Sequence, residues 1–146
     1  DLCPRIRKGF LLEPLVSPLV LEHEVWYSSR PDYIKRFVDR GSRYLHHIVE
    51  EVEKRGMPAE IALLPVVESA FNPHAYSRSR ASGLWQFIPS TGKHYGLAQD
   101  HWQDNRRDIV AATHAAPRRI TTGLTNVNGP STITLASTPK SKLPTR

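Results

Sequence analysis

Residues 66–92 read VVESAFNPHAYSRSRASGLWQFIPSTG, an apolar run that ends on a single carboxylate, Glu68, and gives way to a polar, aromatic segment punctuated by Gly and Pro. Upstream, Pro58 and Glu60 suit a first helical turn, and Ile61, Leu63, Leu64, Val66 and Val67 occupy most of a helix circumference. This predicts a buried helix from Pro58 to about Ala70. Pro65 deletes one internal hydrogen bond, so a kink or wide turn is expected just ahead of Glu68. A glutamate at the end of such a helix, beside Leu64, Val67 and Phe71, is partly desolvated, which disfavours its charged form and raises its proton affinity. A general acid working near neutral pH needs that property. A surface glutamate closing a helix fits the same residues.

Further upstream, SRPDYIKRFVDRGSRYLHHIVEEVEKRG (29–56) places Pro31 and Asp32 in a first turn and Gly56 at an end. Ile34, Phe37, Val38, Leu45, Ile48, Val49 and Val52 recur at three- and four-residue steps, which predicts one long amphipathic helix. Gly41 costs that helix only about 1 kcal/mol of propensity. His46 and His47 read as surface or boundary residues. Before residue 30, Pro4, Pro14 and Pro18 predict an irregular arm, with Leu11, Leu12, Leu15, Val16, Leu19, Val20 and Leu21 lying against the helices that follow. Downstream, 71–83 read as loop, and Leu84 to Ile88 and Asp104 to Ala116 as two shorter helices, the second capped by Asp104.

The net charge of +6 is unevenly spread. Residues 1–116 hold 15 Lys/Arg against 14 Asp/Glu, whereas 117–146 hold five basic residues and no acid. The basic stretch interleaves no aromatics, so no nucleic-acid partner is expected. Its ten Ser/Thr and four Pro, with no helical apolar period, predict a disordered tail from Pro117 onward. The abrupt change at that point suggests a chain truncated or out of its natural reading frame after about residue 116. No apolar run approaches the length of a membrane span, and the start at Asp1 reads as a mature form or one whose targeting segment has been removed. Cys3 is the single cysteine, which excludes an intramolecular disulfide, and the seven histidines show no metal-ligand spacing. Neither a metal nor a cofactor is expected.

Within ESAFNPHAYSRSRASGLWQFIPSTG, the residues Glu68, Ser69, Phe71, Asn72, Pro73, Ser77, Ala81, Gly83, Gln86, Pro89 and Thr91 stand where the lytic transglycosylase family with a lysozyme-like fold carries its signature. The segment resembles that family. The upstream helix and the Trp85-Gln86-Phe87 variant resemble most its membrane-bound murein transglycosylase D subgroup. The resemblance runs over roughly residues 5 to 116.

It implies an all-α, lysozyme-like transglycosylase domain, incomplete, over 31–116, with the irregular Pro-containing arm at 1–30 and the disordered tail at 117–146. It implies cleavage of the β-1,4 bond between N-acetylmuramic acid and N-acetylglucosamine in peptidoglycan glycan strands, closing a 1,6-anhydro ring. Glu68 would act alone, first as acid and then as base, with the substrate's 2-acetamido group replacing a second carboxylate. In agreement, no Asp or Glu other than Glu68 occurs between Ile61 and Gln99. Ser77 matches a serine that bonds the glutamate or the acetamido group, and Gln86 a residue that contacts sugar; a loop cap and a helix surface are their plainer readings. Trp85 and Tyr76 are candidate sugar-stacking residues, although Trp85 is assigned mainly to packing. Ser69 and Asn72 would fix the turn that presents Glu68. The implied location is the periplasm or outer-membrane-associated envelope, with a membrane anchor in a longer precursor compatible with it.

After Ala116 the sequence departs from the family, because an Ala-Tyr-Asn-Ala-Gly stretch and a later tyrosine that close the far cleft wall have no counterpart here. The alternative readings are therefore an inactive peptidoglycan-binding remnant and a muramidase-type hydrolase that uses water.

Overall fold

Ile48, Val49 and Val52 are the centre of the core, buried on one face of a helix that spans Leu45–Glu53. A computed structural model describes residues 2–125, the side chains of 123–125 excepted. The helices are α1 (Leu2–Lys8), α2 (Pro18–Ser28), α3 (Pro31–Gly41), α4 (Leu45–Glu53), α5 (Leu64–Ser69), α6 (Pro89–His94) and α7 (Ile109–Thr125). A 3-10 helix, Ala59–Leu63, leads into α5. Among the described residues the only β pairing is isolated bridges, so the fold class is all-α.

The N-terminal segment is more helical than its prolines suggest. Pro4 falls in the first turn of α1 and Pro18 opens α2, positions where a missing amide leaves no hydrogen bond unmade. Ser17 caps α2 by accepting the Val20 amide on its side chain. The expected burial is absent, however: Leu11, Leu12, Leu15, Val16, Leu19 and Leu21 are exposed. The segment is attached by other means. Ile6 is buried, the Ala59 amide donates to the Gly9 carbonyl at 2.9 Å, and the Glu60 carboxylate accepts the amides of Leu11 and Leu12. An edge-to-face contact of Trp26 with Tyr33 joins α2 to α3.

The single helix expected over 29–56 is two, broken at residues 42–44. Gly41, the last residue before the break, leaves room for the Phe71 ring, since a Cβ there would stand 2.7 Å from it. The expected helix from Pro58 to Ala70 is likewise the 3-10 helix followed by α5, and Pro65 sits in the first turn of α5 where its ring is harmless. The irregularity predicted ahead of Glu68 is this junction.

Leu84 to Ile88 is not a helix. Gln86 has a left-handed backbone, φ 49°, and Phe87 folds back so that its carbonyl accepts the Ser82 amide at 3.0 Å. A short helix the sequence did not announce, α6, starts at Pro89 instead. The last described helix starts later than expected and ends later. Asp108 caps it, its side chain accepting the Ala111 amide at 2.8 Å, while Asp104 pairs with Arg106. It then runs through Pro117 to Thr125, so 117–125 are helical rather than tail. Ala112, Thr113, Ala115, Ala116 and Pro117 are all buried, and this packing outweighs the cost of one proline. The rest of the expected tail, 126–146, lies outside the described residues.

Candidate active site

Glu68 lies in the last turn of α5, a helix too short to owe its stability to propensity. Tertiary contacts hold it. Ser69 Oγ lies 2.8 Å from the Leu84 carbonyl and 3.2 Å from the Pro65 carbonyl, sharing its proton between them. Beyond it the chain reverses through two consecutive non-glycine residues at positive φ, Ala70 at 49° and Phe71 at 55°. Such conformations cost free energy and persist only where the surroundings over-determine them. Here Phe71 is buried beside Gly41, the Phe71 amide donates to the Pro65 carbonyl at 3.1 Å, and Arg40 donates to the Ala70 carbonyl at 3.3 Å.

The Glu68 side chain is half-buried, and that desolvation raises its pKa above the usual glutamate value. The positive charge of Arg119, on α7, acts in the opposite direction and is the weaker effect. The carboxyl therefore holds its proton to higher pH than a solvated glutamate. Among the described residues no hydrogen bond or ion pair to this carboxyl is found.

The other sequence candidates fall on both sides of the core boundary. Trp85 is buried, 1 % exposed, and its indole donates to Thr113 Oγ1 at 3.0 Å. It offers no face to a sugar, which corrects its reading as a substrate-binding residue: the ring fills the space between the 82–87 turn and α7. Tyr76 is exposed, with the Arg107 guanidinium 5.9 Å from its ring centroid. Ser77 stays within its own loop, where its hydroxyl accepts the Ala81 amide at 3.1 Å and lies 3.0 Å from Ser79 Oγ. The Gln86 side-chain amide donates to the carbonyls of Gly83, at 2.8 Å, and Ala75, at 3.2 Å. Asn72 closes a turn by accepting the His74 amide. Ser77, Gln86 and Asn72 thus shape the loop that follows Glu68.

Sequence reasoning missed Arg106. It is buried, forks onto Asp104 through Nε and Nη2, and reaches the carbonyls of Arg80, at 2.7 Å, and Phe87, at 3.1 Å, through Nη1. Those hydrogen bonds hold the Asp104 carboxyl below the usual aspartate range. Only the Asp-x-Arg spacing of 104–106 hinted at the pair, and nothing local signalled its reach across the fold. Gly83 completes the joint, because a Cβ there would fall 1.9 Å from the Arg106 carbonyl. A polar recess of about 290 Å³ lies on the far side of this joint, lined by Arg80, Lys93, Gln99, Asp100 and Asp104 among others, and Glu68 is not part of it.

The helical domain thus presents half-buried Glu68 above a loop braced to its neighbours. The family described as "Transglycosylase SLT domain" matches residues 43–137, more than half of the chain, and the protein belongs to that family. The match passes residue 116, the end of the resemblance visible in the sequence. The chain is 47% identical over 97 residues to the "Membrane-bound lytic murein transglycosylase D" of Escherichia coli strain K12, and equally to that of Escherichia coli O6:H1. That alignment covers 66% of this chain and 22% of each relative, so the chain spans about a fifth of their length. A third relative, named for tributyltin chloride resistance in Alteromonas sp. strain M-1, is 48% identical over 77 residues, 53% of this chain and 37% of its own length.

Proposed function

We propose that this chain acts on peptidoglycan as a lytic transglycosylase, cleaving the β-1,4 bond between N-acetylmuramic acid and N-acetylglucosamine with Glu68 as the single acid and base. The observation that carries this reading is the half-buried Glu68 with its proton affinity raised by burial. Glu68 donates its proton to the glycosidic oxygen as the bond from C1 to that oxygen breaks. The 2-acetamido group of the substrate stabilises the cationic C1. The Glu68 carboxylate then takes the proton of the muramoyl 6-hydroxyl while O6 bonds to C1, which closes the 1,6-anhydro ring and returns the proton to Glu68. No water is consumed.

In this reading Tyr76 lies against a sugar face, while Ser77 and Gln86 keep the loop in the shape the substrate meets. The relatives named as membrane-bound murein enzymes support a cell-envelope location and peptidoglycan as the partner. The test is mass spectrometry of soluble products from purified peptidoglycan incubated with the chain and with Glu68→Gln. Anhydromuropeptides that disappear in the variant are the expected result. Reducing-end products would replace this reading by a muramidase, and binding without release from either chain by a peptidoglycan-binding remnant.

A further inference from the structure

We propose that the polar recess among Arg80, α6 and the 99–104 loop binds the stem peptide of peptidoglycan, with a peptide carboxylate held by Arg80 and Lys93. The inference rests on the reading of peptidoglycan as the substrate, and adds to it a peptide contact that does not include Glu68.

The recess is a built one. About 290 Å³ of space opens among Arg80, Lys93, Gln99, Asp100, Asp104 and Arg106. Arg106 is the fixed part of its wall: it is 6 % exposed, forks onto Asp104, and donates through Nη1 to the Arg80 carbonyl at 2.7 Å, which anchors the backbone that carries the Arg80 side chain. Gly92 lets the wall close, because a Cβ there would meet Gln99 Nε2 at 2.7 Å and Arg106 Cδ at 3.0 Å. Gln99 is fixed in turn, its Nε2 donating to the carbonyls of Pro89, at 3.0 Å, and Leu97, at 3.2 Å. A ligand does not have to order such a wall, which lowers the cost of binding.

Three cations and two carboxylates line the recess, and they are unequally committed. Asp104 and Arg106 neutralise each other, and Asp100 Oδ1 accepts the amides of Trp102 and Gln103 at 2.7 and 2.9 Å. The Arg80 and Lys93 side chains are exposed, and among the described residues no hydrogen bond or ion pair engages either head group. Two uncommitted cations select an anion. Asp100 Oδ2 and Gln99 Oε1 remain as acceptors, so the anion that fits carries N–H groups close to its charge. A bare inorganic anion would bring its charge to Asp100 with little to donate, whereas a peptide with a free carboxylate beside its amides or amines satisfies both sets of groups. In peptidoglycan the stem peptides offer that combination.

An apolar face stands beside these groups. Trp102, two residues on from Asp100, is 89 % exposed, although tryptophan is highly buried on average. Its loop is closed by the Asp100 amide on the Gln103 carbonyl at 2.9 Å and the Asn105 amide on the Ala98 carbonyl at 2.8 Å, so the ring is held out in solvent by ordered backbone. It offers the apolar part of a peptide a surface next to the charged recess.

The test is proton–nitrogen NMR of the full chain titrated with stem tetrapeptide freed from its glycan, with the same peptide amidated at its carboxyls, and with inorganic phosphate. The Trp102 indole signal is followed, assigned by its loss in Trp102→Phe. The proposal expects the tetrapeptide to shift that signal while the buried Trp85 indole stays in place. The amidated peptide, and the double variant Arg80→Gln with Lys93→Gln, are expected to bind at least about tenfold more weakly. No shift with the tetrapeptide, equal affinity for the amidated peptide, or unchanged affinity in the folded double variant overturns the proposal, and phosphate that binds as tightly as the tetrapeptide overturns it in favour of a bare-anion site. Should the double variant not fold, the two peptides compared on the parent chain decide alone. The freed peptide has no glycosidic bond, so the result is independent of turnover: anhydromuropeptide release without tetrapeptide binding removes this inference alone, and tetrapeptide binding without release removes the transglycosylase reading alone.

Discussion

The hydroxyl of Ser69 bonds the Leu84 carbonyl at 2.8 Å across 15 residues of sequence, and so ties the helix of Glu68 to the turn that carries Trp85 and Phe87. A six-residue helix has few other anchors. The position of Glu68 relative to the loop below it therefore depends in part on one side-chain oxygen.

Ser69→Ala removes that tie and leaves a buried carbonyl short of a partner. The expected loss is about 1 kcal/mol of stability, read as a lower urea midpoint with an unchanged slope. If the tie also places Glu68 for reaction, anhydromuropeptide release falls more than stability does. An unchanged midpoint together with unchanged release would show that the rest of the core holds α5 without it.

Glu68 makes stability depend on pH with a definite sign. Its folded pKa is raised above the unfolded value, so the folded state binds the proton more tightly, and the stabilisation it contributes is fully present below the ordinary glutamate value. It is lost as pH rises through the raised folded value. Glu68→Gln, which cannot ionise, is therefore expected to melt higher than the parent at neutral pH, with the difference closing in acid below the ordinary glutamate range. Thermal melts of both chains across pH measure it, and a Gln variant less stable than the parent at neutral pH would contradict the desolvation of Glu68.

Trp85 is a core residue with a polar tether, so Trp85→Phe is expected to cost about 1–3 kcal/mol through the unpaired Thr113 hydroxyl and the space left behind. Retention on insoluble peptidoglycan, measured under conditions where the variant is folded, is expected to match the parent. Reduced retention by the folded variant would restore Trp85 to the substrate face.

Gly83→Ala meets two obstacles at once, a φ of +82° and the Arg106 carbonyl 1.9 Å from the new Cβ. A loss of about 3 kcal/mol or more is expected. Circular dichroism melts decide it, and a variant as stable as the parent would mean that the joint between 83 and 106 opens at little cost.

The helical class, the buried run of α4, the loop over 71–83 and the candidate glutamate were all legible because each rests on local pattern: apolar spacing, helix-opening prolines, and one carboxylate alone between Ile61 and Gln99. The close packing at Gly41 was not legible, since the ring that meets it is Phe71, thirty residues away. Trp85 was ambiguous for the same reason. An aromatic beside a signature motif stacks on ligand or fills a core according to what covers it, and its cover is Thr113 on a distant helix.

The amino-acid sequence by itself determined the family, the all-α class and the placing of Glu68 at the end of an apolar helix, all of which depend on residue order along the chain. Tertiary structure alone decided which side chains surround that glutamate. Arg106 carries no signal in the sequence beyond its Asp-x-Arg spacing, yet it is the buried clasp between two loops. Arg119 belonged to a stretch whose composition predicts disorder, and packing of Ala112, Ala115 and Ala116 carries the helix past Pro117 to include it. Burial and Coulomb energy depend on distances through space, which local sequence does not encode.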